Sequence, residues 1–133
     1  MVVHPRFSVV IPVRNRAEVV GRAVSDVLAQ TLAAVEVVVV DAASNDDSVE
    51  AARSVADRRV RVLTGNAGLA ESTDVAEARR VGIEAALGRW VSVLDPDDEV
   101  SPGWLARLGR IAEATGAVLV SCGGEQTHVD GST

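Results

Sequence analysis

The chain has 133 residues, enough for one domain with a real core and little length for a second. Its formal net charge is −6 and all 13 of its basic residues are arginine, so no surplus of positive charge is available for a nucleic-acid backbone. Hydrophobic residues make up 47% of the chain and aromatic ones only 2%, which points to a core of β-branched strands under Ala-rich helices and so to an α/β protein.

Residues 7–13 are mostly apolar and β-branched and run into the polar stretch Arg14-Asn15-Arg16, the pattern of a buried strand followed by a loop. Val19, Val20, Ala23, Val24, Val27 and Leu28 then recur at helical spacing, with Glu18, Arg22 and Asp26 on the opposite face. Residues 35–40 are apolar on both faces beyond Glu36, as a strand covered by helices on both sides requires. That strand ends at Asp41, and Asn45 or Asp46 is placed to cap a helix carrying Val49, Ala52, Val55 and Ala56.

Val60-Arg61-Val62-Leu63 alternates with arginine and is expected towards a sheet edge. After the loop residues 64–68, Asp74 and Glu77 resemble a capping pair for a helix through Val81 and Ala85, stopped by Gly88. Residues 90–94 form a strand that ends in Asp95-Pro96-Asp97-Asp98-Glu99. Ser101-Pro102 then reads as an N-cap and first-turn proline of a helix reaching Gly116, and residues 118–122 as a last strand.

Strands alternating with helices give a doubly wound, mainly parallel sheet with helices on both faces, and its ligand belongs at the carboxyl ends of the strands. The domain is expected over residues 1–122, with 123–133 a loosely ordered Gly-rich tail. No apolar run approaches the roughly 20 residues that span a bilayer. Residues 1–5 lack the order of a signal peptide, so the expected location is cytoplasmic. Cys122 has no disulfide partner and is expected as a buried thiol.

Three carboxylates within Asp95-Pro96-Asp97-Asp98 repel one another unless water or a cation relieves them. Mg²⁺ or Mn²⁺, which takes a few carboxylates together with substrate phosphate oxygens, is one relief; a solvated acidic turn is the other. Asp41 could accept hydrogen bonds from a base edge or a ribose hydroxyl, or serve as a turn acid before Ser44. Arg14 or Arg16 could pair with phosphate, and Arg79 and Arg80 could face the same crevice; surface arginines equally need no such role. No Gly-x-Gly-x-x-Gly or Lys-terminated phosphate loop is present. His4 and His128 stand far apart without Cys or Glu at ligand spacing, against a zinc site. Trp90 and Trp104 fit packing positions.

Taken in order, these segments resemble the family 2 glycosyltransferases of the GT-A fold. Residues 8–16 are similar to that family's opening strand and loop, Gln30-Thr31 to the end of its first helix, and residues 36–44 to its Glu-x-x-x-Val-Asp-Asp-Gly-Ser segment. Asn66-Ala67-Gly68, Ala78-Arg79-Arg80-Val81-Gly82 and Asp95-Pro96-Asp97-Asp98 resemble its Asn-x-Gly, Ala-Arg-Asn-x-Gly and Asp-x-Asp-Asp elements.

The resemblance implies an inverting transfer of a sugar from a nucleoside diphosphate, usually UDP, to an acceptor hydroxyl. Donor contacts are implied at Pro12, Arg14, Asn15, Asp41, Ser44, Asn66, Arg79 and Asp95, with Mn²⁺ or Mg²⁺ on Asp97 or Asp98. Ala42, Ala43, Arg14 and Arg80 depart from the family's acid, glycine, aromatic and asparagine, and residues 69–77 are longer than usual. Glu125 and Asp130 are the only acids after Cys122, and neither has the setting of the family's base. The chain is therefore expected as the donor-binding half of a larger enzyme, inactive alone, with an exposed edge that favours a homo-oligomer. The rival reading is a non-catalytic nucleotide-binding or interaction module. A phosphoacceptor domain is disfavoured, since no acidic cluster follows the first strand.

Overall fold

The computed structural model describes residues 5–65, 72–116, 119–123 and 126–129, the last two ranges as backbone. The elements are β1 (Phe7–Val13), α1 (Val20–Leu28), β2 (Val35–Asp41), α2 (Ser48–Arg53), β3 (Val60–Leu63), α3 (Val75–Ala85), β4 (Trp90–Leu94), α4 (Trp104–Thr115), β5 (Leu119–Gly123) and β6 (Gln126–Val129). They build one sheet in the order β3-β2-β1-β4-β5-β6, parallel except for β6. The doubly wound sheet expected from the sequence is thus present.

Alternation along β1 and β2 divides the core. Phe7, Val9, Ile11, Val13, Val35, Val37 and Val39 pack with Val20, Val24 and Val27 of α1 and Leu105 and Leu108 of α4. Val10, Val38 and Val40 face α3 through Ala78 and Val81. Helix α3 lies close to the sheet because Gly82 has no side chain: a Cβ there would stand 2.3 Å from Val10 Cγ1 and 3.0 Å from Val40 Cγ2. Every residue of β1 and β2 is buried, whereas all four of β3 are half-buried at the edge of the sheet, as the alternating arginine predicts.

The helix starts correct the sequence reading in two places. Helix α4 begins at Trp104, after Ser101-Pro102, and its N-terminal residue Gly103 offers no side-chain cap. Buried Gln30 caps it from a distance instead: its Oε1 accepts from Leu105 N–H at 3.0 Å while its Nε2 donates to Ser101 O at 2.7 Å. Helix α2 begins at Ser48, later than expected, with Asp46 Oδ1 accepting from Ser48 N–H at 3.0 Å. Helix α3 matches its expected cap, Asp74 accepting from Ala76 N–H at 2.9 Å, but ends at Ala85 before Gly88, and Glu77 turns to Arg80 rather than back to the cap.

Residues 126–129, read as loose tail, form β6, antiparallel to β5 with Cys122 opposite Thr127. Thr127 and Val129 alternate as β-branched residues do in strands, and the pairing satisfies the outer edge of β5. The side chains of Cys122 and His128, and all of His4, lie outside the described residues. Trp90 packs on Phe7 with ring centroids 5.5 Å apart and stands at the amino end of β4, away from the carboxyl ends; Trp104 is buried in the α1–α4 core. Among the described residues no helix is long and apolar enough to cross a membrane.

Candidate active site at the strand switch point

The chain runs outward from β1 to β3 and then returns to β4 on the other side of β1, so the order reverses between β1 and β4. At such a point the two following loops part and leave a crevice. The β1–β4 ladder ends at Val10 opposite Val93, two residues before Pro12, which has no N–H to offer. The sequence-predicted residues Pro12, Arg14, Asn15, Asp41, Ser44, Asp95, Asp97 and Asp98 all follow the carboxyl ends of β1, β2 and β4 or close those strands. Asn66 lies outside the described residues.

Asp41 is the last residue of β2, opposite Val13, and is only 7% exposed. Its Oδ2 accepts from Ser44 N–H at 3.2 Å, and its Oδ1 is buried without a hydrogen-bond partner among the described residues. An unmatched buried acceptor is costly, of order 1–3 kcal/mol, which marks this oxygen as one that a ligand donor would satisfy. Ser44 Oγ accepts from Asn15 N–H at 2.9 Å, while Asn15 Oδ1 accepts from Asn45 N–H at 2.6 Å. The loops after β1 and β2 are therefore locked reciprocally. Asn15 and Ala43 have φ of 53° and 51°, a left-handed conformation that asparagine tolerates and alanine adopts at a cost.

Arg14 points its Nη1 at the carbonyls of Ala42 and Ala43, at 2.9 and 2.5 Å, and so braces the loop after β2. Arg16 is the arginine that enters the crevice: its Nε donates to Asp97 Oδ2 at 3.1 Å. Its own N–H donates to Ser48 Oγ at 2.8 Å, and Asp46 takes the neighbouring Ala17 N–H at 3.1 Å. The Ser48 hydroxyl and these backbone donors hold the Asp46 carboxyl below the usual carboxylate range.

The acidic loop folds on itself. Asp95 Oδ1 accepts from Asp97 N–H at 2.9 Å and Asp95 O from Asp98 N–H at 3.0 Å. Asp95 and Asp97 are exposed and Asp98 is half-buried. Among the described residues no three His, Cys, Asp or Glu side chains gather closely enough to enclose a metal ion. Two arginines offset the acids: Arg16 at Asp97, and Arg22 at Glu99, 3.0 Å away. Arg22 was expected to face solvent; it turns to this loop because four acids stand there against one facing helix.

Arg79 is exposed on α3 with no polar side-chain partner among the described residues. Arg80 is exposed on the same helix and is paired with Glu77 and Glu84, which raise its pKa, so it belongs to a solvated helical face. Glu36 serves packing: it accepts from Ser8 Oγ at 2.6 Å, Leu87 N–H at 2.6 Å and Arg61 Nη2 at 2.9 Å, fixing the turn from α3 into β4.

Strand order, switch-point crevice and acidic loop together define an α/β domain of the Rossmann-like, GT-A type. The chain belongs to glycosyl transferase family 2, whose model matches residues 8–131. It is 37% identical over 127 residues to the succinoglycan biosynthesis protein ExoO of Rhizobium meliloti strain 1021, an alignment covering 96% of this chain and 35% of that protein. Its fold matches the mannosyltransferase PcManGT of Pyrobaculum calidifontis, solved with GDP-Man and Mn²⁺, with a TM-score of 0.72 and 25% identity over 82% of this chain and 32% of that one. It also matches S. aureus TarS residues 1–349, solved with UDP-GlcNAc, with a TM-score of 0.68 and 22% identity over 82% of this chain and 31% of that one. The chain thus spans about a third of the length of these relatives.

Proposed function

We propose that the crevice binds a nucleoside-diphosphate sugar, UDP-linked in the first instance, together with a divalent cation, and that the protein transfers the sugar with inversion to an acceptor hydroxyl. The observation that carries this reading is an unbroken run of contacts from Asp41, whose Oδ1 is unmatched among the described residues, through Ser44, Asn15 and Arg16 to Asp97. It joins the buried, unmatched Oδ1 of Asp41, which a neutral donor such as a base N–H or ribose hydroxyl would satisfy, to a loop rich in anionic oxygen.

The donor set suits Mg²⁺ or Mn²⁺, which are held by one or two carboxylates with phosphate oxygens and water completing the shell; Asp97 and Asp98 are the residues that would hold it. When bound, such a cation supplies charge stabilisation to the diphosphate leaving group. Asp41 would fix the nucleoside, Asp95 the ribose or sugar, and Arg79 the diphosphate. Arg16, once displaced from Asp97, has the fork geometry to take a phosphate oxygen. The solved relative with GDP-Man and Mn²⁺ supports the cation and keeps guanine open as the base. The acceptor site and the general base are assigned to no residue of this chain.

The test is calorimetric titration of UDP and of GDP with Mn²⁺, with EDTA, and with Asp97→Ala. The expected result is binding that weakens without metal and without Asp97. If neither nucleotide binds under any of these conditions, the rival reading of a non-catalytic interaction module stands in its place.

A further inference from the structure

Arg22 occupies a position that neither its place on α1 nor the proposed donor contacts require. Its Nη2 donates to two main-chain carbonyls, Pro96 O and Asp98 O, each at 3.1 Å, and its Nη1 to Glu99 Oε1 at 3.0 Å. Those two carbonyls flank Asp97 on either side. The guanidinium is held there although its Nε is buried and makes no hydrogen bond among the described residues, the nearest acid being Asp26 at 3.9 Å. Within the loop, Asp95 ties down the N–H groups of Asp97 and Asp98. The main chain around Asp97 is therefore held twice, through its N–H groups by Asp95 within the loop and through the flanking carbonyls by Arg22 from α1.

We infer that Arg22 is a positioning residue for the cation-binding loop: it sets the main-chain direction at Asp97, and so where the Asp97 carboxylate stands, without touching donor or cation. This rests on the reading of that loop as the cation site. Charge supports it as well as geometry. Arg22 places a positive charge beside a loop of four acids through carbonyl oxygens and Glu99, so it offsets their repulsion without taking the Asp97 carboxylate, which Arg16 holds by a half-exposed pair. Groups that orient a metal ligand from outside its coordination shell typically change metal affinity by about 10–100-fold when lost.

The experiment measures UDP affinity by calorimetry with Mn²⁺ and with EDTA, and follows Mn²⁺ itself by its electron paramagnetic resonance signal, for the wild-type chain, Asp97→Ala, Arg22→Gln and Arg22→Lys. Arg22→Gln is expected to lower the ratio of Mn²⁺-supported to EDTA affinity about tenfold while leaving the EDTA value in place. A general loss of structure would lower both values together. Arg22→Lys, whose single ammonium cannot span both carbonyls and Glu99, is expected to fall between, about threefold down, and is read alone if Arg22→Gln does not melt cooperatively. An unchanged ratio in a folded variant, with Asp97→Ala still defective, overturns the role of Arg22. A wild-type chain indifferent to Mn²⁺, or an Asp97→Ala chain indistinguishable from wild type, overturns the cation-loop reading and this inference with it.

Discussion

The Nε of Arg16 lies 3.1 Å from Oδ2 of Asp97, joining the loop after β1 to the loop after β4 across 81 residues of sequence. Both side chains are about half exposed, 46% and 53%, so the pair adds little to stability, about 0–1 kcal/mol. Its consequence lies in binding, since the guanidinium occupies the carboxylate that a cation would use. Arg16→Gln is expected to cost at most about 1 kcal/mol in urea denaturation and to tighten Mn²⁺ binding in the absence of nucleotide. Weaker Mn²⁺ binding by a fully folded variant would show that Arg16 assists the cation rather than competing with it.

Ala43 stands at a φ of 51°. A side chain pays roughly 1–2 kcal/mol in that region and glycine does not, although glycine loses more chain entropy on folding. Ala43→Gly is therefore expected to raise the unfolding free energy by about 0.5–1 kcal/mol. A destabilised variant would mean that the Ala43 methyl contributes packing that outweighs the strain, and comparison of urea midpoints decides it.

Gly82 sets the distance of α3 from the sheet. Alanine gains about 1 kcal/mol in helix propensity, yet its Cβ would meet Val10 Cγ1 at 2.3 Å, and overpacking of this kind costs about 1–3 kcal/mol. Gly82→Ala is expected to lose stability on balance. Combined with Val10→Ala it should lose less than the two single variants together, because the truncated valine makes the room. Simple additivity in a double-mutant cycle would refute the contact.

The acid limb of the stability profile follows from three carboxyls whose folded pKa values lie below the ordinary 3.8 and 4.5: Asp46 through Ser48, Asp57 through Arg59, and Glu77 through Arg80. A depressed carboxyl contributes stability above its unfolded value and loses it as pH falls through the folded one. The melting temperature is thus expected to hold down to about pH 5 and to drop below about pH 4. Asp46→Asn, whose one amide oxygen can keep the Ser48 contacts of Oδ1 but not the Ala17 N–H taken by Oδ2, should lower stability at neutral pH and flatten that drop. An acid limb of unchanged slope would remove Asp46 from the account.

The sheet was legible because burial on both faces leaves a plain mark: residues 37–40 are apolar without interruption, and arginine returns where β3 reaches the edge. The site was legible as a set of loops, since polar residues cluster where those apolar runs stop. What single residues do within it was not. Arg14 and Arg16 are chemically identical and two positions apart, yet one braces a loop and the other crosses the crevice, a difference fixed by where the carbonyls of Ala42 and Ala43 happen to lie. Arg22 reads as the polar face of α1 because helical periodicity shows which side avoids the core and is silent about a loop that approaches that side. Gln30 likewise caps a helix 75 residues away, where local capping rules look to Ser101.

The place of β1 in the middle of the sheet has a consequence in time. Phe7 meets Val35 on one flank and Trp90 on the other, so β1 can pair with β2 early but must wait for β4 to complete its second flank. At about 5–20 residues per second of synthesis, that wait is roughly 3–11 s. During it, the flank of β1 reserved for β4 is an open, largely apolar strand edge on a half-built sheet. A nascent chain of this design is most vulnerable to wrong partners in that interval, and the late arrival of Trp90 ends it.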